Sequence, residues 1–207
     1  MVAPFLILLL LAVADFAPSF VARFKAAHAN GSFGDLVAQS SAMQPSDLTA
    51  DYAAAPDVMA PFPSDTLNLR ITNVYSDGKG HAFVYWSCGQ GSLLPLAAKS
   101  QVKTTPTGAS VGSLLSLSGA PPGYPLGSGA NTSYVMTESA YTYSAPAQFI
   151  LKGAQTMTSV MYLYPRQSAY VGFPWDGNAN DPPPAPTTTT RVTSLTLSNG
   201  AKCNYAY

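Results

Sequence analysis

The stretch Val2–Ala14 reads VAPFLILLLLAVA and carries no charge and no strongly polar side chain. Asp15 follows, and Phe16 to Ala22 is mostly apolar again. A helix rises roughly 1.5 Å per residue, so about 20 residues cross a hydrocarbon core about 30 Å thick. Residues 1–22 are just long enough, and we read them as a hydrophobic anchor helix. Two other readings share the pattern. A secretory signal peptide fits the apolar run, with Ala12-Val13-Ala14 as an A-x-A-like cleavage site, although Met1 to Pro4 supplies no basic side chain. A buried helix of a soluble protein is the third. The nearest basic residues, Arg23 and Lys25, lie on the C-terminal side, which by the positive-inside rule would leave the rest of the chain in the cytoplasm. A natural chain that begins upstream with basic residues removes both difficulties.

Asp15 stands apart from its surroundings. An acid inside an apolar helix is costly and by default marks a partner. Either a neighbouring subunit supplies it, through a free amine or a basic side chain, or the residue lies at the membrane boundary, where the cost is small.

The remaining composition is that of an uncharged, β-rich surface domain. The chain has 207 residues, only 10% of them charged, and a formal net charge of zero. This fits one domain plus an anchor. It offers no basic face for nucleic acid, so no nucleic-acid partner is expected. Glu138 is the only glutamate, whereas exposed helices of ordinary cytosolic proteins use Glu and Lys freely. The cysteines are Cys88 and Cys203. In an oxidising compartment they can pair, closing a long loop with a stabilisation of about 4–5 kcal/mol; unpaired thiols are the alternative.

Along the chain, the first helix is expected to run through Arg23, Phe24 and Ala27 to His28 and to break at Asn30-Gly31. Ser32 then caps a second segment, Phe33–Met43, with Asp35 at the third position. Ser46 is the expected N-cap of a third helix, with Leu48, Tyr52 and Ala55 on one face and Pro56 ending or kinking it. A switch to period two follows. Leu67, Leu69 and Ile71 alternate with Asn68, Arg70 and Thr72. Asp77-Gly78-Lys79-Gly80 is a turn, and His81–Cys88 returns as the second strand of a hairpin. Gly89 to Thr132 is long and irregular, with Ser113–Leu117 a short strand or helical turn. Tyr134–Ala145 alternates, placing Val135, Thr137, Ser139, Tyr141 and Tyr143 on one face. Met157–Tyr164 is the next strand, and the link between them is too short for a crossover helix, so they are antiparallel neighbours. Asp181–Pro186 (DPPPAP) is a polyproline-like linker, and Val192–Leu197 a last strand that carries Cys203.

The expected fold class is therefore α+β: an N-terminal transmembrane or pilin-like helix, short helices, then an antiparallel β-sheet domain. The boundaries are an anchor at 1–22, a helical stalk at 23–64, a sheet domain at 65–175 with a long loop at 89–132, and a Pro/Thr-rich linker and tail at 176–207. No G-x-S-x-G, H-E-x-x-H, P-loop, G-x-G-x-x-G or C-x-x-C motif appears, and the acids are scattered in turns and helix starts. No catalytic residue, metal ligand, cofactor or small-molecule substrate is expected. His28 and His81 read as ordinary surface or interface histidines. Asn30-Gly31-Ser32 and Asn131-Thr132-Ser133 are formal glycosylation sequons of the kind that arise by chance.

Several of these segments, in this order, resemble the TadE/TadG-like family, pseudopilin-type components of the tight-adherence (Flp) pilus system. Val2-Ala3-Pro4-Phe5-Leu6, running on to Val13-Ala14-Asp15-Phe16, resembles the family's apolar-Pro-apolar helix start with its later acid. Asp35-Leu36-Val37-Ala38-Gln39 with Ser46-Asp47-Leu48 resembles the helical region after the anchor. Pro61-Phe62-Pro63, the Leu67–Tyr75 strand and Val84-Tyr85-Trp86-Ser87 resemble the first hairpin, and Tyr141-Thr142-Tyr143 with Tyr164-Pro165-Arg166 the closing strand and Pro-Arg. The similarity covers roughly Val2 to Arg166. The family's basic upstream segment has no counterpart here, nor has the von Willebrand A domain of its longer members.

The resemblance implies a non-enzymatic, single-pass protein of the bacterial inner membrane, with an extracytoplasmic domain that can reach a surface pilus. Its partners would be the membrane and other pilus-assembly or pseudopilin subunits. Pro4, Phe5 and Asp15 become the residues of interest for helix assembly, and Tyr141, Tyr143 and Arg166 for domain packing or contact. The competing reading is a secreted β-rich binding or adhesin module released by cleavage after Ala14. An envelope enzyme is a third class, which would need an acid–histidine pair brought together by the fold.

Overall fold

The first helix runs further than local signals suggest. In the computed structural model, which describes residues 3–77, 82–98, 101–102, 130–145, 148–175 and 192–206, α1 spans Ala3–Ala38 without interruption. At roughly 1.5 Å per residue it is about 54 Å long. The break expected at Asn30-Gly31 and the separate helix Phe33–Met43 do not occur. Asn30 is fully buried, and its Nδ2 donates to the carbonyls of Thr137 at 3.3 Å and Ser159 at 3.4 Å. Two strands therefore engage the side-chain NH2 that would otherwise compete for the helix backbone. Gly34 allows close approach: a Cβ there would lie 2.6 Å from Leu163 Cδ1 and 2.8 Å from Thr137 Cγ2. Packing thus offsets the poor helix propensity of glycine, about 1 kcal/mol. Burial also removes Asn30 from use as a glycosylation acceptor in the folded chain.

The helix α2 (Pro45–Ala54) begins one residue before the expected Ser46 cap. Pro45 takes the first helical position, where its missing N–H costs nothing, so the cap falls on Gln44. Asp47 closes the capping box by accepting the Gln44 N–H at 3.2 Å. Leu48 and Tyr52 are buried on one face as their spacing predicts, and the chain tightens into a 3-10 turn, Ala55–Met59, around Pro56.

Among the described residues seven strands follow: β1 (Leu67–Asp77), β2 (Ala82–Gly89), β3 (Gln101–Val102), β4 (Ala130–Ser144), β5 (Ala154–Leu163), β6 (Val192–Thr196) and β7 (Lys202–Ala206). They form one sheet in the order β5-β4-β1-β2-β7-β6, with β3 added to β2. Every pairing is antiparallel. The α+β class follows, and the β1–β2 hairpin and the β4–β5 pair stand where the alternation places them. The single last strand expected from Val192 is instead a hairpin. Its turn ends at Gly200, φ +84°, and β7 inserts between β2 and β6. Residues 192–206 of the segment read as linker and tail thus belong to the sheet. The Gly78–Gly80 turn residues, Ser113–Leu117 and DPPPAP lie outside the described residues.

The helices cover one face of the sheet. Leu67, Leu69 and Ile71 of β1 and Val135, Tyr141 and Tyr143 of β4 share a core with Ala22, Ala26, Phe33 and Val37 of α1 and with Leu48 and Tyr52 of α2. Tyr52 packs with its ring tilted against Phe33 at 4.6 Å and donates its hydroxyl to the Cys88 carbonyl at 2.8 Å, which docks α2 over β2. On the other face, the segment after β2 is held by Ser87 Oγ, which accepts the Leu96 N–H at 3.0 Å, and by Asn204, which donates to the Leu96 carbonyl at 3.2 Å. Cys88 and Cys203 face each other across β2 and β7 and form a disulfide.

Candidate functional site: the bare helix stem and its junction with the sheet

The most unusual surface of this chain is the first part of α1. Phe5, Leu6, Ile7, Leu8, Leu9, Leu10 and Val13 are all exposed. At Asp15 the helix meets the domain. From there the buried positions run Asp15, Ser19, Ala22, Ala26, Ala29, Asn30, Phe33, Gly34, Val37 and Ala38. These are i+3 and i+4 steps, one stripe of a helix laid on a surface. Apart from Phe33 and Val37 the stripe is built from small and polar residues, which let the backbone approach β4 and β5 closely. On the outer side Phe16, Phe20, Val21 and Phe24 stay exposed, so apolar surface continues past the junction. α1 is long and apolar enough to cross a membrane.

The structure places the expected helix-assembly residues in different settings. Pro4 stands in the first turn of α1, where a proline is tolerated, and Phe5 is 65% exposed. Asp15 is fully buried. Its Oδ2 accepts the backbone N–H groups of Ile150 at 2.6 Å and Leu151 at 3.2 Å, while Oδ1 has no hydrogen-bond partner among the described residues. The acid thus latches the β4–β5 loop to the helix within the same chain. Nothing local in the sequence marks this acceptor role, because its donors lie 135 and 136 residues away.

The expected contact residues sit at the same end or at the far end of α1. The Tyr141 hydroxyl donates to the Pro63 carbonyl at 3.0 Å, and Tyr143 meets Phe62 edge-on at 6.0 Å. Burial, with Asp65 and Tyr143 nearby, pushes the Tyr141 phenol up; burial and the Asp15 charge do the same for Tyr143. Both rings line a cavity of about 490 Å³ with Pro18, Pro61, Phe62 and Pro63. Arg166 lies at the other end, where its guanidinium pairs with Asp35 and its N–H donates to the Ala38 carbonyl at 2.8 Å. That carbonyl is one of the acceptors a helix end leaves open. The rest of this strap closes the core: Trp86 donates to the Val171 carbonyl at 2.8 Å and packs on Phe173 at 5.2 Å.

A second ion pair, Arg70–Glu138 at 2.5 Å, bridges β1 and β4 and engages the chain's only glutamate. Among the described residues no three His, Cys, Asp or Glu side chains converge. Comparison with protein-family models, curated proteins and solved structures returns no match.

Proposed function

We propose that this chain is a non-enzymatic, membrane-anchored component of a tight-adherence (Flp-type) pilus assembly system, similar to the TadE/TadG-like proteins. Its sheet domain stands on the outer side of the bacterial inner membrane, and its partners are the membrane and other pilus-assembly subunits. One observation carries this reading. A single unbroken helix is packed against an antiparallel sheet along its second half and bare and apolar along its first. Such a helix can store a subunit in the bilayer and later bundle with its neighbours through the same surface. The Cys88–Cys203 disulfide agrees with an oxidising, extracytoplasmic compartment.

The secreted-module reading also gains an observation. The buried stripe begins at Asp15, so cleavage after Ala14 would release the sheet domain with its helix contacts in place. Intact mass of the natively expressed protein, taken separately from membrane and soluble fractions, separates the two. A membrane-bound product that keeps Val2–Ala14 supports the anchor. A soluble product beginning at Asp15 replaces it with the secreted module. Deleting the gene then tests the pilus role: loss of surface pili supports it, and normal piliation removes it.

A further inference from the structure

We propose that the β4–β5 loop, Gln148–Gly153, is a second membrane contact, which Asp15 holds beside the stem so that Phe149 and Ile150 enter the lipid interface. This rests on the membrane-anchor reading and adds a surface to it. Asp15 fixes the loop by accepting two of its N–H groups at the point where α1 leaves the domain. The backbone turns sharply at both ends of the loop, with Gln148 at φ 50° and Gly153 at φ 78°. Between them the side chains separate. Leu151 packs against the core, while Phe149 is 55% and Ile150 44% exposed. Adjacent large apolar side chains held outward on a fixed loop are costly in water and suit an apolar phase.

A lipid bilayer is the occupant the geometry favours over a second protein. The hydrogen bonds to Asp15 hold the loop at the helix position flanked by the exposed Val13 of the stem and the exposed Phe16. Whatever medium receives the stem also meets the loop tip. Lys152 follows the tip and is exposed, Arg23 lies two turns up the helix, and residues 148–153 contain no acid. Cations just outside an apolar tip match anionic headgroups. Asp15 is buried under the loop, and the exposed acid at this end, Asp65, lines the cavity beside Pro18 and Tyr141.

Tryptophan probes in the full chain, reconstituted into phosphatidylethanolamine–phosphatidylglycerol vesicles with brominated acyl chains, test this. Trp86 and Trp175 provide the background, measured on the unaltered chain. Leu8→Trp reports the stem and Phe149→Trp the loop, with Ile150→Trp as a second loop probe should the first variant misfold. Quenching of Phe149→Trp by shallow bromines, several-fold above background, is expected, with Leu8→Trp quenched by deep ones. Adding Asp15→Leu should lower loop quenching at least twofold while stem quenching holds. Quenching at Leu8 with none at either loop position overturns the loop contact and leaves the anchor standing. No quenching at any position overturns both. Loop fluorescence shifted to the blue without quenching, together with cross-linking between copies, assigns the loop to a second protomer and overturns the lipid contact.

Discussion

The two parts of α1 are equally helical, yet they do different things: residues 3–14 carry no charge, while residues 15–38 include Asp15, Arg23, Lys25 and Asp35. Residues 3–14 are apolar on every side, and all are exposed except Leu11 and Ala12, which are partly buried. From Asp15 onward Phe16, Phe20, Val21 and Phe24 face outward, while the inner stripe is mostly Ser, Ala, Asn and Gly, with Phe33 and Val37 buried in the core towards its end. Composition and side-chain size therefore both mark the part of the helix that packs on its own domain. Small residues at most facing positions let the sheet approach closely, and Phe33 fills the core where α2 docks. Apolar residues all round leave the first part to an external apolar phase.

The strongest test of this division removes stability from the domain and asks whether the stem notices. Replacing both Cys88 and Cys203 by Ala opens a loop with a sequence separation of 115. It should cost the domain about 4–5 kcal/mol, read from denaturant unfolding followed at Trp86. Retention of the chain in the membrane fraction should not change. If the chain leaves the membrane when the disulfide is lost, the two halves are not independent.

Gly34→Leu comes next. The new side chain would start where Leu163 Cδ1 and Thr137 Cγ2 already stand, and overpacking of that kind costs about 3 kcal/mol. Leu8→Ala, a change of similar size on the stem, should leave unfolding of the domain within about 0.5 kcal/mol of the unaltered chain. Equal effects at the two positions would erase the distinction between packed and bare halves. Asp15→Ala tests the boundary itself. It leaves the Ile150 and Leu151 N–H groups without their acceptor and should cost about 2 kcal/mol. Val13→Ala, half a turn away on the stem, should cost no more than about 0.5 kcal/mol.

Much of this division can be read in the sequence, but not where it falls. The charge-free run of Val2–Ala14, the β1–β2 hairpin and the alternation of Val135 to Tyr143 depend on local periodicity, and the structure has them in place. What local reading misses is set by contacts distant in the chain. Asn30-Gly31 looks like a helix break because its partners, the Thr137 and Ser159 carbonyls, lie 107 and 129 residues on. The hairpin of β6 and β7 has only a short weak alternation, and its place in the sheet comes from pairing with β2 and from the disulfide. The residues singled out for domain packing or contact, Tyr141, Tyr143 and Arg166, are engaged within the chain, by hydroxyl bonding, ring packing and an ion pair. Asp15 attracts notice as an acid in an apolar helix, yet only the fold brings the loop that it binds.

The mildest test uses pH, which should act on the domain and spare the uncharged stem. Burial, reinforced by Asp47 one turn earlier, pushes the Asp51 carboxyl from its usual 3.8 up to about 6. The folded chain therefore prefers the neutral acid. Its contribution to stability is fully present below pH 3.8 and is lost as the pH rises through about 6. Asp51 is only half-buried, so solvent screening holds the effect under about 1 kcal/mol. Asp51→Asn keeps a neutral polar group at every pH and should flatten the fall in unfolding midpoint across that window. Asp47→Asn removes the neighbouring charge but not the burial, and because burial is the larger cause it should flatten the slope only in part. It also keeps the side-chain oxygen that can accept the Gln44 N–H, so the start of α2 should survive the exchange. A full flattening by Asp47→Asn would make repulsion between the two acids, rather than burial, the source of the shift.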